Sequence, residues 1–300
     1  MDYAEQGFAT AEDGTRLFWG VSGAGPGMVL LDGIGCDGWA WNHIQPYFAK
    51  THRVLHWHYR GHGRSGAPAD PARIDVPAIA RDLFSVMDAV GMRDAILVGH
   101  SMGVQVALES YRLAPERARA LVLVCGSYGR VTHTFHGNDM LKQVLPGLIE
   151  AVNKHRGFAR AIWGRVPTGV AWRIATLSRE IDGLAIREAD FRQYVEHLAW
   201  MEPDVFLSML KLAGEHTAED VLDRITVPTL VIAGERDTFP PAALATFMAE
   251  HIPGAEHFVV RGGSHATPIE QPVALELRIE KFLRERVETT PSAAPSSAAG

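Results

Sequence analysis

Cys36 and Cys125 are the only thiols in the 300-residue chain, too few for a disulfide framework or a four-thiolate metal site. Such sparing use of cysteine fits a reducing compartment. The first ten residues contain Asp2 and Glu5 but no apolar segment, and no run of 18 apolar residues occurs. A secretion signal and a membrane-spanning helix are therefore not expected, and the chain reads as cytoplasmic. Basic residues are in deficit, 29 Lys and Arg against 35 Asp and Glu, for a formal net charge of −6. No general positive field exists to draw nucleic acid or an anionic bilayer, so neither is expected as a partner.

What is present fits a globular protein of one large domain or two small ones, with 47% hydrophobic and 21% charged residues. Short apolar runs alternate with segments of helical spacing. Strands are expected at Met28 to Asp32, Val54 to Trp57, Ala95 to Val98 and Ala120 to Cys125, and helices at Trp39 to Lys50, Ile79 to Val90 and Val104 to Leu113. Continuous apolar strands separated by helices imply βαβ units and an α/β fold, a mostly parallel sheet covered by helices on both faces. From Tyr128 to about Asp220 the pattern is helical only. Strand, helix and strand then resume at Thr229 to Ala233, Ala242 to His251 and His257 to Val260, before a last helix from about Pro272 to Val287. The expected organisation is a core of residues 1–127 and 221–287, a helical cap of 128–220, and a tail of 288–300. Thr289 to Gly300 holds only Thr, Pro, Ser, Ala and Gly, and is expected to be disordered.

Gly99-His-Ser-Met-Gly103 sits between an expected strand and an expected helix. A G-x-S-x-G pattern arises by chance about 0.1 times in a chain of this composition, so its placement carries more weight than the pattern. Glycines on either side allow a sharp turn that exposes the serine hydroxyl at the C-terminal edge of the sheet. Ser101 is the candidate nucleophile, although a serine there also serves as an ordinary helix N-cap. A serine hydroxyl needs an imidazole base, and the imidazole needs a carboxylate to fix its tautomer. Asp237 follows the strand ending at Ala233 and His265 follows the strand ending at Val260, both on loops at the same sheet edge.

With these motifs the chain resembles the α/β-hydrolase family, over about residues 15 to 285. Tyr59-Arg-Gly-His-Gly-Arg-Ser65 is similar to the family's Arg-Gly-His-Gly-x-Ser turn, and Pro228 to Asp237 to its acid loop. His58 departs from the family, since many members carry Asp there. Asp32 departs too, standing where a His-Gly oxyanion loop usually has His. The resemblance implies a serine hydrolase with Ser101, Asp237 and His265 catalytic. It also implies an oxyanion hole from the backbone N–H groups of Met102 and Ile34, with Gly33 letting the loop approach the substrate. The Asp-Gly-Ile-Gly loop also resembles that of lactone-opening members such as zearalenone hydrolases. A plain strand terminus is the other reading of those glycines.

His100 reads as packing rather than as the base. His52, His56, His58 and His62 lack the partners of a catalytic zinc, so no metal and no cofactor is expected. In the cap, Phe135, Met140, Trp163, Trp172, Trp200, Phe206 and Met209 are candidates for an apolar pocket wall, about half of them facing the cleft. Trp39 and Trp41 join them from the core. These favour a small, largely apolar ester or lactone as substrate. Arg160, Arg165, Arg173 and Arg179 leave open a carboxylate on it. Hydrolysis of a carbon–carbon bond beside a ketone, cofactor-free peroxide chemistry, and a homologue that binds without turnover stay open. So does the oligomeric state, a homodimer included.

Overall fold

The structure is a computed structural model that describes residues 1–129, 140–165, 167–177 and 181–288. The chain opens with a hairpin, β1 (Glu5–Thr10) and β2 (Arg16–Ser22), and continues through β3 (Gly27–Leu31), α1 (Ile44–Phe48), β4 (Arg53–Trp57), α2 (Val76–Ala89), β5 (Ala95–His100), α3 (Met102–Leu113) and β6 (Ala118–Val124). An all-helical insertion follows, comprising α4 (Met140–Lys154), α5 (Arg156–Trp163), α6 (Thr168–Leu177), α7 (Glu188–Trp200) and α8 (Pro203–Glu215). The core then closes with β7 (Thr229–Gly234), α9 (Ala242–His251), β8 (Glu256–Val260), α10 (Thr267–Glu270) and α11 (Pro272–Phe282).

Eight strands form one sheet in the order β1-β2-β4-β3-β5-β6-β7-β8, antiparallel at β1–β2 and β2–β4 and parallel elsewhere. The expected α/β architecture with an inserted helical cap is thus observed. The two-residue period of a strand divides the apolar side chains between two cores. Val29, Leu31, Leu97, Leu121, Leu123 and Val231 face α2, α3 and α9, whereas Met28, Leu30, Ile96, Val98, Val122 and Ile232 face α1 and α11. Because both faces are covered, β5 and β7 are buried along their whole length.

Two expected boundaries differ. In place of one helix over Trp39 to Lys50 there is a 3-10 turn at Trp39–Trp41 and a separate short α1. Pro46 has no N–H to continue an upstream helix and is tolerated only in a first turn. The helix read from Ile79 begins at Val76, where the Asp75 carboxylate accepts the Ala78 N–H at 2.9 Å and Pro77 stands in the first turn. Tail residues 289–300 lie outside the described residues. Among the described residues no helix is long and apolar enough to cross a membrane.

Strand order fixes where a site can form. From β3 the chain moves to β4 on one side and then to β5 on the other, so the loops after β3 and β5 part at a topological switch point, the usual ligand crevice of an open parallel sheet. Arg60, just past β4, pins the neighbouring turn. It is fully buried, with Nε and Nη2 donating to Asp82 Oδ2 and Oδ1 at 2.7 and 2.6 Å and Nη1 donating to Asp13 Oδ2 at 2.8 Å and the Arg73 carbonyl at 2.6 Å. Replacing Arg60 with Met strands the buried Asp82 carboxylate and takes a partner from Asp13. Urea denaturation of Arg60→Met is expected to show a loss of about 3–5 kcal/mol, and a loss under 1 kcal/mol would contradict this role.

Candidate active site

β5 runs straight into α3 at Ser101, whose backbone adopts φ 57°, ψ −120°, a conformation rare for a residue with a side chain. The flanking glycines are sterically required. A Cβ on Gly99 would lie 2.3 Å from the Gly103 carbonyl oxygen, and one on Gly103 would lie 2.2 Å from the Leu31 carbonyl oxygen. The Ser101 side chain makes no capping bond to α3. Instead Oγ is 3.0 Å from His265 Nε2, and His265 Nδ1 is 3.0 Å from Asp237 Oδ2. A carboxylate can only accept, so Nδ1 carries the imidazole proton and Nε2 is free to accept the serine hydroxyl. Asp237 is buried, its second oxygen accepting the Phe239 N–H at 2.8 Å. The structure thus brings Ser101, Asp237 and His265 together as one hydrogen-bonded series.

Gly33 and Ile34 lie directly opposite; a Cβ on Gly33 would stand 3.5 Å from Ser101 Oγ. The Met102 N–H, in the first turn of α3, has no carbonyl within the helix to bond. Ile34 and Met102 border the same small space as Ser101. The loop is held from below by polar contacts. Gly35, at φ 72°, donates its N–H to His62 Nε2 at 3.1 Å, and His62 Nδ1 donates to the Arg60 carbonyl at 3.1 Å. Asp32 Oδ2 accepts from His56 Nε2 at 2.8 Å, and His56 Nδ1 accepts from the Tyr3 hydroxyl at 2.7 Å. His58 Nδ1 accepts the Arg64 N–H at 2.8 Å. The histidine cluster therefore serves as scaffold, and among the described residues no group of three or more His, Cys, Asp or Glu could hold a metal ion.

His100 Nε2 donates to the His265 carbonyl at 2.9 Å and its ring meets Trp41 edge-on, so it supports the loop that carries His265. Burial, reinforced by His265, lowers its pKa to about 3. Burial likewise lowers His62 to about 4 and His58 to about 2. Burial raises the thiols of Cys36 and Cys125 well above their ordinary range, against nucleophilic use of either.

A cavity of about 390 Å³ opens over Ser101 and His265, walled by Ile34, Trp39 and Phe239 from the core and by Ile174, Phe191 and Tyr194 from the cap. Of the expected wall residues, Gly33 and Trp39 line it. Trp39 also donates Nε1–H to the Asp190 carbonyl at 2.5 Å, tying α7 to the core. Trp41 is buried among core side chains beneath it. Trp163 packs on Phe206 within the cap and donates to the Leu198 carbonyl, Met209 is buried in the core, and Trp200 is 87% exposed. Trp172 lies against Phe191 at the rim of a neighbouring groove. Phe135, the Met140 side chain and Arg179 fall outside the described residues. Arg160 pairs with Glu202 on the surface at 3.0 Å, while Arg165 and Arg173 are exposed and do not line the cavity. Phe191, Tyr194 and Phe239 were missed, although the i, i+3 spacing of Phe191 and Tyr194 on α7 marks one helix face.

Residues 28–276 match the Alpha/beta hydrolase family, and the chain belongs to it. It is 30% identical over 271 residues, 89% of this chain and 92% of the relative, to a protein of Azorhizobium caulinodans provisionally named carbamate hydrolase RutD. Among solved structures it is similar to a thermophilic esterase of Thermogutta terrifontis, with TM-score 0.75 at 21% identity over 94% of this chain and 98% of that one. It is also similar to the enol-lactonase of Burkholderia xenovorans, with TM-score 0.72 at 21% identity over 93% and 100%.

His58, His62 and His100 are held neutral in the fold but take up protons near their ordinary 6.5 once unfolded. Between about pH 6.5 and 4 the unfolded chain therefore binds more protons, and stability present above that window is lost as pH falls, with a limiting slope of about 1.4 kcal/mol per unit for each such group. Urea denaturation at pH 7 and pH 5 is expected to show a lower midpoint at pH 5. Equal midpoints would mean that these rings are not the neutral supports described.

Proposed function

We propose that the protein is a serine hydrolase that cleaves a carboxylic ester or lactone of a largely apolar small molecule through an acyl-enzyme. In this reading residues 1–127 and 221–287 act as the catalytic core and 128–220 as the cap that selects the substrate. Ser101 Oγ attacks the carbonyl carbon while His265 Nε2 takes its proton, and Asp237 steadies the resulting imidazolium. The oxyanion is met by the N–H groups of Met102 and Ile34. Collapse breaks the carbon–oxygen bond, the proton passes from His265 to the leaving alkoxide, and Ser101 keeps the acyl group. Water then adds to the ester carbonyl with His265 again taking the proton, and the acid departs as Ser101 recovers its own.

The observation that carries this reading is the series of two 3.0 Å contacts, Ser101 to His265 to Asp237, at the floor of an apolar cavity. Ser101→Ala is expected to lower kcat on p-nitrophenyl esters by at least about 10³-fold and to abolish fluorophosphonate labelling, with the far-UV spectrum unchanged. Labelling that persists on another residue would sink the assignment. The 30% identity to a protein provisionally named a carbamate hydrolase favours carbamates as a second substrate class for the same atoms, and phenyl carbamate assayed beside phenyl acetate decides between them.

Trp39 supports the role of the cap. Trp39→Phe keeps an aromatic wall but removes the donor to the Asp190 carbonyl, a bond worth about 1 kcal/mol. KM for bulky esters is expected to rise about fivefold with kcat little changed, and steady-state kinetics on naphthyl esters check this split.

A further inference from the structure

Ser101 borders a second and far smaller space, a cleft of about 10 Å³ lined by Ile34, Met102, Gln105, Leu210 and Phe239 among others. It has room for about one water-sized group. Gln105 stands one turn beyond Ser101 on α3 and is fully buried. Its amide nitrogen is committed, donating to the Ala213 carbonyl at 2.8 Å and lying 3.2 Å from His216 Nδ1. His216 Nε2 is 3.0 Å from Glu109 Oε2, which can only accept, so Nε2 carries the proton and Nδ1 accepts from Gln105. Arg112 holds the same Glu109 carboxylate. The amide orientation is thereby fixed, and Oε1 is left buried with no partner among the described residues. A buried acceptor without a partner is destabilising, which makes it a place where a ligand can supply the missing donor.

The two spaces divide the substrate. A leaving group must stand beside His265 to receive its proton, and His265 lines the large apolar cavity but not the small cleft. The acyl substituent therefore falls to the cleft beside Gln105. We propose that Gln105 Oε1 accepts a hydrogen bond from a short acyl group, so that the substrates join an apolar alcohol to an acyl group of few atoms bearing an O–H or N–H donor. This rests on the reading of Ser101 as nucleophile.

The test compares benzyl glycolate with benzyl propanoate, whose acyl groups match in size and differ in the donor, using the full chain and the variants Gln105→Met and Gln105→Asn. Comparing the glycolate-to-propanoate ratio of kcat/KM across proteins cancels the intrinsic reactivity of each ester and any general loss of activity. The ratio is expected to fall about tenfold in Gln105→Met. It should fall also in Gln105→Asn, whose shorter amide withdraws the acceptor and which serves alone if the Met variant does not fold. A ratio unchanged by substitution, as for a cleft that only houses a structural water, overturns the proposal, as does a wild-type preference for benzyl hexanoate over glycolate. Fluorophosphonate labelling of Ser101 in the same preparations keeps the two questions apart. Labelling with an unchanged ratio removes the role of Gln105 alone, whereas no labelling removes the hydrolase reading.

Discussion

The chain leaves β5 and enters α3 so tightly that neither Gly99 nor Gly103 has space for a methyl group, each Cβ position lying within 2.4 Å of a backbone carbonyl oxygen. That contact forces Ser101 into its positive-φ conformation, a local strain of about 1–3 kcal/mol. The strain is sustained because both sides are anchored. The Ser101 N–H continues the parallel ladder to the Val124 carbonyl at 3.1 Å, and α3 packs its apolar face onto the sheet. Relaxing the turn would cost sheet pairing and core burial together. The serine hydroxyl is therefore held above the sheet edge by packing, and only its rotamer is left to the imidazole.

Around that fixed point the polar scaffold is built from buried histidines. His62 accepts the Gly35 N–H and His56 Nε2 donates to Asp32, so the loop after β3 is set from beneath by buried hydrogen bonds. Asp32, which departs from the family pattern, acquires its meaning here. With His56 and the Tyr59 hydroxyl on its carbonyl, it takes up the space below the loop as an acceptor rather than as a base.

Most of the core was legible because a strand buried on both faces has to be apolar throughout, as Val29 to Leu31 and Leu230 to Ile232 are. The elbow was legible because its glycines answer a steric demand that no other residue meets. The reading failed where the sequence signal is a helical stripe with two apolar neighbours. In the cap, Trp163, Met209 and Phe206 are as apolar as Phe191 and Tyr194, yet they pack against other cap helices, α3 and the loop at Gly35. Which stripe meets the cleft depends on helix rotation, set by contacts such as Trp39 to Asp190 that join residues 151 positions apart. Gln105 escaped notice for a related reason, since nothing in its spacing reveals that one end of its amide is occupied and the other is not.

The loop that bears the imidazole and the cap share one carboxylate. Glu270, on α10, accepts the Ser264 N–H at 3.0 Å and the Ser264 hydroxyl at 2.6 Å, immediately before His265 in the chain. Its Oε1 also accepts the Asp182 N–H at 2.6 Å from the segment between α6 and α7. Asp182 in turn takes a hydrogen bond from Arg236 at 2.5 Å, and Arg236 holds the Gly262 carbonyl at 2.8 Å. One carboxylate thus ties the loop before His265 to the part of the cap that walls the cavity through Ile181. Displacing this edge of the cap would leave a buried carboxylate short of a donor and loosen the loop that aims Nε2 at Ser101. The contacts that hold this edge of the cap against the core are thus the same ones that orient the loop bearing His265, and each is strengthened by its burial away from water.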